Sequence, residues 1–408
     1  MFAVAAVLAL TSGLAACGSD DKDKDSAIDT NIGDVAKGSP LKVMQILDEN
    51  EAIGVRFDDT RAGGKVGVWA VNNRLGGLGI DGHEVELETC VTDQDANKVA
   101  ACARKAAADP SYIAVIGSYG NSPGATPILE AAGIPMIGNL YNSQADGISP
   151  VSFPLSNNNP APPTPSPAGE DFLRDVVHAQ KVAIAVVDVV GASQAADFIG
   201  SQIEANGMDV VATVPISAAS PDISAPVAAL VKSGADAVYF VMDSTTTLRV
   251  IAEVYKQGAT QDMKMVANGG TILSKDVIEQ LGDATDTTYI ERSFAPIEYV
   301  DAPGVDQLKK DLSSADLPED ADDQTIMAYC GFMLLDHIAD GITGDITAKS
   351  VLDGANTVKD WNCDGLAANV DFTAPAEDPN YPRYKGPAIG AFPSKIEDGK
   401  IVAASVDD

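Results

Sequence analysis

Short apolar runs alternate with amphipathic stretches along most of this chain, and the series runs twice. Residues 41–47 read as a strand, and Ala62, Val66, Trp69 and Ala70 set one apolar stripe on the helix that follows. Gly76 and Gly77 stop that helix. Strand 84–90, helix 95–108, strand 113–117, helix 123–132 and strand 134–138 complete the first series. The second has strands 181–187, 209–214, 237–242 and 264–267, with helices 193–206, 222–233 and 246–257 between them. Residues 301–360 read as mostly helical, and 389–392 with 399–402 as a terminal hairpin. Nearly continuous apolar strands separated by helices mark parallel sheets covered on both faces. The fold class is therefore α/β, and 408 residues are too many for one core. Two lobes with several crossings between them are expected. Residues 157–169 are proline-rich and extended, and read either as an interlobe strap or as a surface loop.

The N-terminus has a different character. Phe2 to Ala16 carries no charge, and its 15 residues fall short of a bilayer span but suit a signal-peptide core. Leu14-Ala15-Ala16-Cys17 resembles a bacterial lipobox, in which the cysteine receives lipid before cleavage on its N-terminal side. Small and charged residues follow Cys17, as a tether requires. Residues 1–16 are thus expected to be a lipoprotein signal peptide and 17–39 a flexible tether. The mature chain is expected outside the cytoplasm, anchored to the membrane by lipid on Cys17. No Lys or Arg precedes the apolar run, so the reading allows a start upstream. The alternatives are an ordinary signal peptide or a buried helix with a chance cysteine.

Twenty-seven basic residues against 59 acidic ones give a formal charge of −32. Such a surface repels phosphate backbones and anionic lipid heads, which excludes nucleic acid as an expected partner. Setting Cys17 aside leaves four of the five cysteines to pair, in one of three ways. Cys90 ends a strand and Cys102 lies on the next helix, so these two are expected to join, leaving Cys330 for Cys363. No metal site is expected: there is no CxxC, and His83, His178 and His337 lie far apart in sequence. No GxSxG elbow, P-loop or HExxH occurs. Gly63-Gly64-Lys65-Val66-Gly67 lies within a helix and is no dinucleotide fingerprint. Neither an enzyme nor a cofactor is expected.

In open parallel sheets, ligands bind beyond the carboxyl ends of the strands, near helix N-termini. That rule selects five loops. Residues 118–124 offer Tyr119, Asn121 and Ser122, either as an anion site or as a helix cap. Asn139, Leu140, Tyr141 and Asn142 follow the strand at 134–138. Asp243 either pairs with a ligand cation or caps the helix after it. Asn268 precedes two glycines, and Glu49 follows the first strand.

Several short segments together resemble the branched-chain amino acid-binding family of extracellular solute receptors for ABC transporters. They are Ala70-Val71-Asn72 with Gly76, Gly77 and Gly79; Asp93 and Asp95; Ala114-Val115-Ile116-Gly117; Glu130-Ala131-Ala132-Gly133-Ile134-Pro135; and Gly234-Ala235-Asp236-Ala237-Val238. The resemblance spans about residues 40–403. It implies two Rossmann-like lobes joined by three hinge crossings, the type I periplasmic-binding-protein fold. The lobes would comprise 40–152 plus 298–365, and 153–297 plus 366–408. It further implies a monomer that captures a small polar solute, an amino acid or a related compound, for a permease and an ATPase. A sensor reporting to a membrane partner would use the same fold. Asn121, Ser122, Leu140 and Asn142 would hold the ligand carboxylate and part of its ammonium. The chain departs from the family where an ammonium-binding glutamate is expected, since Gly269 stands there. Either Asp243 replaces that acid or the ligand is no amino acid.

Overall fold

A computed structural model of the chain describes residues 36–50, 56–118, 124–141, 144–157, 172–188, 190–242, 244–268, 275–297, 302–319, 321–373 and 392–405. The first series forms β1 (Gly38–Leu47), α1 (Asp58–Trp69), β2 (His83–Val91), α2 (Ala96–Ala108), β3 (Tyr112–Ile116) and α3 (Thr126–Ala132). Five short elements follow: β4 (Met136–Ile137), β5 (Leu140–Tyr141), α4 (Gln144–Ile148), β6 (Ser152–Phe153) and β7 (Ser156–Asn157). The sheet order is β2-β1-β3-β4-β6, parallel throughout, while β5 and β7 form a small parallel pair of their own. Val43 faces α1 with Ile113, whereas Met44 faces α2 and α3 with Val115. Successive strand side chains thus feed two separate cores, which is why these strands read as apolar on both faces.

The second series comprises β8 (Lys181–Val187), α5 (Val190–Ala205), β9 (Asp209–Ile216), α6 (Ser224–Lys232), β10 (Ala237–Val241) and α7 (Ser244–Lys256). It continues with β11 (Lys264–Asn268), α8 (Lys275–Leu281) and β12 (Thr288–Glu291). After β12 come α9 (Pro303–Ser314), α10 (Asp323–Asp340) and α11 (Ala348–Ala355), and the chain closes with β13 (Ser394–Glu397) and β14 (Lys400–Ala403). The sheet order is β14-β13-β12-β11-β10-β8-β9, parallel from β9 to β12 and antiparallel at the β13–β14 edge. The terminal hairpin lies at 394–403: its second strand falls on the expected 399–402, while 389–391 lie outside the described residues. Its turn is Asp398-Gly399, with φ of 49° and 71°, the two-residue geometry that Asp-Gly favours.

The chain passes between the lobes three times. Leu155 is in the first core and Phe172 in the second lobe's. Glu291 ends β12, yet Phe294 is back in the first core. Phe372 belongs to that core, whereas Ser394 begins β13. The returning α9 and α10 complete the first lobe: Val305, Ile326 and Phe332 share a core with Val43 and Val66.

The α1 glycines have a packing role. A Cβ on Gly63 would stand 2.3 Å from the Thr325 carbonyl oxygen, and one on Gly67 2.4 Å from the Phe332 ring. Only bare backbone lets α1 and α10 approach this closely. Beyond Trp69 the helix widens into a π-helical stretch, Ala70–Leu75. Asn72 on that stretch donates to the Val85 carbonyl at 3.0 Å and accepts its N–H at 2.8 Å, which ties the helix to β2. Both disulfides are present, Cys90–Cys102 and Cys330–Cys363. Asp95 caps the helix that carries Cys102 by accepting the Asn97 N–H at 2.7 Å. Among the described residues no helix is long and apolar enough to cross a membrane.

Candidate functional site

The carboxyl ends of β1, β3 and β4 are tied into one platform. Gln45, fully buried, donates to the Thr60 carbonyl at 3.0 Å and the Gly117 carbonyl at 3.2 Å. The Ser118 hydroxyl accepts the Ile46 N–H at 3.0 Å, and the Ser118 carbonyl accepts the Leu140 N–H at 3.3 Å. Gly138 has φ of +63°, and a Cβ there would lie 2.4 Å from Gly331 Cα on α10. The β4 end is thereby pressed onto α10, and Asn139 follows it with no exposed surface.

The expected ligand residues are distributed unevenly. Glu49 is buried, but its carboxylate is committed: Arg61 Nη2 lies 2.5 Å from Oε2, Arg61 Nε donates to Oε1 at 3.0 Å, and the Phe57 N–H donates at 3.1 Å. Leu140 packs its side chain into the lobe-one core. Asn139 sends Nδ2 to the Leu140 carbonyl at 3.4 Å, leaving the buried Oδ1 with no protein partner. Among the expected ligand residues with described side chains, it alone has an unsatisfied polar atom. Tyr141 and Asn268 are placed by their backbones, as the last residues of β5 and β11. Tyr119, Asn121, Ser122, Asn142, Asp243 and Cys17 lie outside the described residues.

A buried acid at the second lobe's strand ends was not anticipated. Glu291, 1% exposed, ends β12 opposite Asn268 of β11 and accepts a hydrogen bond from the Tyr239 hydroxyl at 3.2 Å. The run Thr287-Thr288-Tyr289-Ile290 carried the signal for this strand in its β-branched and aromatic residues. Arg292 and Asp323, beside it, pair with each other in the interior. Among the described residues no cluster of His, Cys, Asp and Glu is arranged to hold a metal ion. The strand ends of the first lobe offer the unsatisfied Asn139 Oδ1, a polar group of the kind that fixes a bound solute.

The first lobe carries carboxyls held above their ordinary values. Burial pushes Asp59 up to about 6, and the Asp322 and Asp58 carboxylates add to it. Burial, then Asp340, pushes Asp336 up to about 6 against the pull of Arg74. Asp109 is held down at about 2, by its hydrogen bonds with Ser111 first and by Lys42. Raised acids bind more protons in the folded than in the unfolded chain between their ordinary 3.8 and about 6. Stability should therefore increase as pH falls from 7 to about 5. Depressed acids such as Asp109 withdraw stability only below about 4. The melting temperature is expected to be higher at pH 5 than at pH 7, and Asp59→Asn should flatten that slope. A melting temperature that falls over this interval would contradict the assignment.

Residues 49–384 match the family described as periplasmic binding protein. The chain belongs to the periplasmic binding protein family. Among solved structures, it resembles the branched-chain amino acid transporter substrate-binding protein LivJ of Streptococcus pneumoniae in complex with isoleucine. The two share 16% identity over 90% of this chain and 99% of that one, with a TM-score of 0.70. A solute-binding protein of an R. palustris ABC transporter, in complex with 4-hydroxybenzoate, is 19% identical over 90% and 96%, with a TM-score of 0.70. The leucine-binding protein LivK of Thermotoga maritima is 15% identical over 90% and 98%, with a TM-score of 0.68. At these identities the likeness is one of fold. No curated protein matches the chain.

Proposed function

We propose that this protein is the extracytoplasmic receptor of an ABC-type uptake system, capturing a small polar solute and releasing it unchanged. Its partners on this reading are a permease and an ATPase, and it works as a monomer anchored by lipid on Cys17. The observation that carries the reading is a periplasmic binding protein chain folded as two largely parallel sheets in separate lobes, joined by three crossings. The lobes are taken as 40–155 plus 294–372, and 172–291 plus 394–405, since Leu155, Phe294 and Phe372 lie in the first core. Solute contacts are assigned to Tyr119, Asn121, Ser122, Asn139, Tyr141 and Asn142 in the first lobe, and to Asp243 and Asn268 in the second. Glu49 acts through Arg61, whose orientation it sets, and Leu140 acts as backbone.

Isoleucine on one relative and 4-hydroxybenzoate on another define two solute classes to try first, with and without an amine. Native mass spectrometry of the purified protein, followed by thermal shift with amino acids, aromatic acids and polyamines, tests the reading. A solute at 100 times its dissociation constant should stabilise the fold by ~2.7 kcal/mol. An amine-bearing solute whose effect is lost in Asp243→Ala supports Asp243 as its partner. Turnover of any added compound, or no response to every class with nothing co-purified, overturns the receptor reading.

A further inference from the structure

Residues flanking the first and third crossings meet two residues of the second. Ser156 Oγ of the first lies 3.4 Å from Ser293 Oγ of the second, and the Phe392 N–H of the third donates to the Arg292 carbonyl at 3.2 Å. Both residues are fastened to one side chain of the first lobe. Arg292 Nε donates to Asp323 Oδ1 at 2.6 Å, and the Ser293 N–H donates to Asp323 Oδ2 at 3.2 Å. Arg292 and Asp323 are 7% and 8% exposed, so water does not compete for the contact.

Asp323 is itself firmly held. It opens α10, where the neighbouring Asp322 caps the helix by accepting the Thr325 N–H at 2.8 Å. Thr325 Oγ1 donates to the Asp59 carbonyl at 3.0 Å, and Thr60 Oγ1 donates to Gln324 Oε1 at 2.9 Å. The start of α10 is thereby fixed to the start of α1, beside Glu49 and Arg61. A continuous polar chain runs from the lobe-one platform to the middle crossing.

We propose that Asp323 is a positioning residue for solute capture. It clamps Arg292 and Ser293 to lobe one, so that bending is confined to the lobe-two side of Arg292 and the platforms meet in one register. A guanidinium–carboxylate pair is directional, whereas apolar packing at the same place would permit sliding. Were stability the sole purpose, well-packed apolar residues would serve as well or better. The proposal goes beyond the receptor reading and holds whichever solute is bound.

The test therefore uses ligand-free protein. Nitroxides on Ala107→Cys in lobe one and Ala205→Cys in lobe two report the interlobe distance by pulsed electron paramagnetic resonance. The double variant R292M/D323L replaces the ion pair with apolar groups of similar size. It is expected to stay folded, with some loss of melting temperature from the Ser293 N–H left without its acceptor, while the distance distribution broadens about twofold or more, as other orientations become populated. An unchanged distribution in that folded variant overturns the proposal and leaves the pair a packing contact. Hydrogen exchange on the unaltered protein gives a second readout that needs no variant. The Ser293 amide should exchange as slowly as the core of α10, and exchange at loop rates would equally overturn the clamp.

Discussion

Replacing Arg74 with methionine should cost about 3–5 kcal/mol, among the largest effects of any single substitution outside the apolar core. Arg74 Nε lies 3.0 Å from both oxygens of Asp311, whose side chain is 2% exposed. Gln307 donates to the same carboxylate at 2.8 Å, and the Tyr329 hydroxyl at 2.8 Å. Removing the cation strands a charge that two neutral donors cannot compensate. The converse change should be milder. Arg74 keeps 28% of its side chain exposed and can turn to water, so Asp311→Asn should cost about 1.5–3 kcal/mol. Urea unfolding of the two variants measures this asymmetry. Equal losses in both variants would sink this account.

Loss of the Cys330–Cys363 disulfide should cost about 3–4 kcal/mol, from the unfolded-chain entropy of a loop with a sequence separation of 33. The Cys90–Cys102 bond, with a separation of 12, should be worth about 3 kcal/mol. The two also differ in access. Cys330 is fully buried within α10, and Cys363 is 6% exposed. Cys90 is half-buried at the β2 end. Under mild reductant, alkylation and mass spectrometry should find Cys90 and Cys102 labelled first, with Cys330 labelled only as the fold opens. Simultaneous labelling would show that the first lobe opens as one unit. Because Cys363 lies shortly before the third crossing, the longer bond also holds the returning helices against the first sheet.

Most of the architecture was legible in the sequence because a parallel strand buried on both faces is an apolar run, and each run is local. Strand β12 was missed for the same reason: four residues beginning with threonine fall below that signal. The second arm of the terminal hairpin was legible, but β13 was not, because Ser394–Glu397 holds a single apolar residue, although Asp398-Gly399 marked the turn before β14. The candidate site was legible as a set of loops, since the carboxyl ends of strands follow from topology. The state of each side chain was not. Glu49 was selected as a ligand residue after the first strand, and its commitment to Arg61 depends on how α1 sets down on β1. Leu140 looked like a cleft residue, and its burial depends on α10 returning from beyond residue 320.

The sequence by itself determined the alternation, the two lobes, the expected disulfides and the glycine positions, because periodicity and turn chemistry act between near neighbours. Only the tertiary structure decided the partners. Arg74 and Asp311 are 237 residues apart, and Thr60 and Gln324 are 264 apart. No local pattern marks such pairs. They exist because the chain leaves the first lobe, builds the second and returns. At that return Arg292 meets Asp323, where a buried charge must find its counterion.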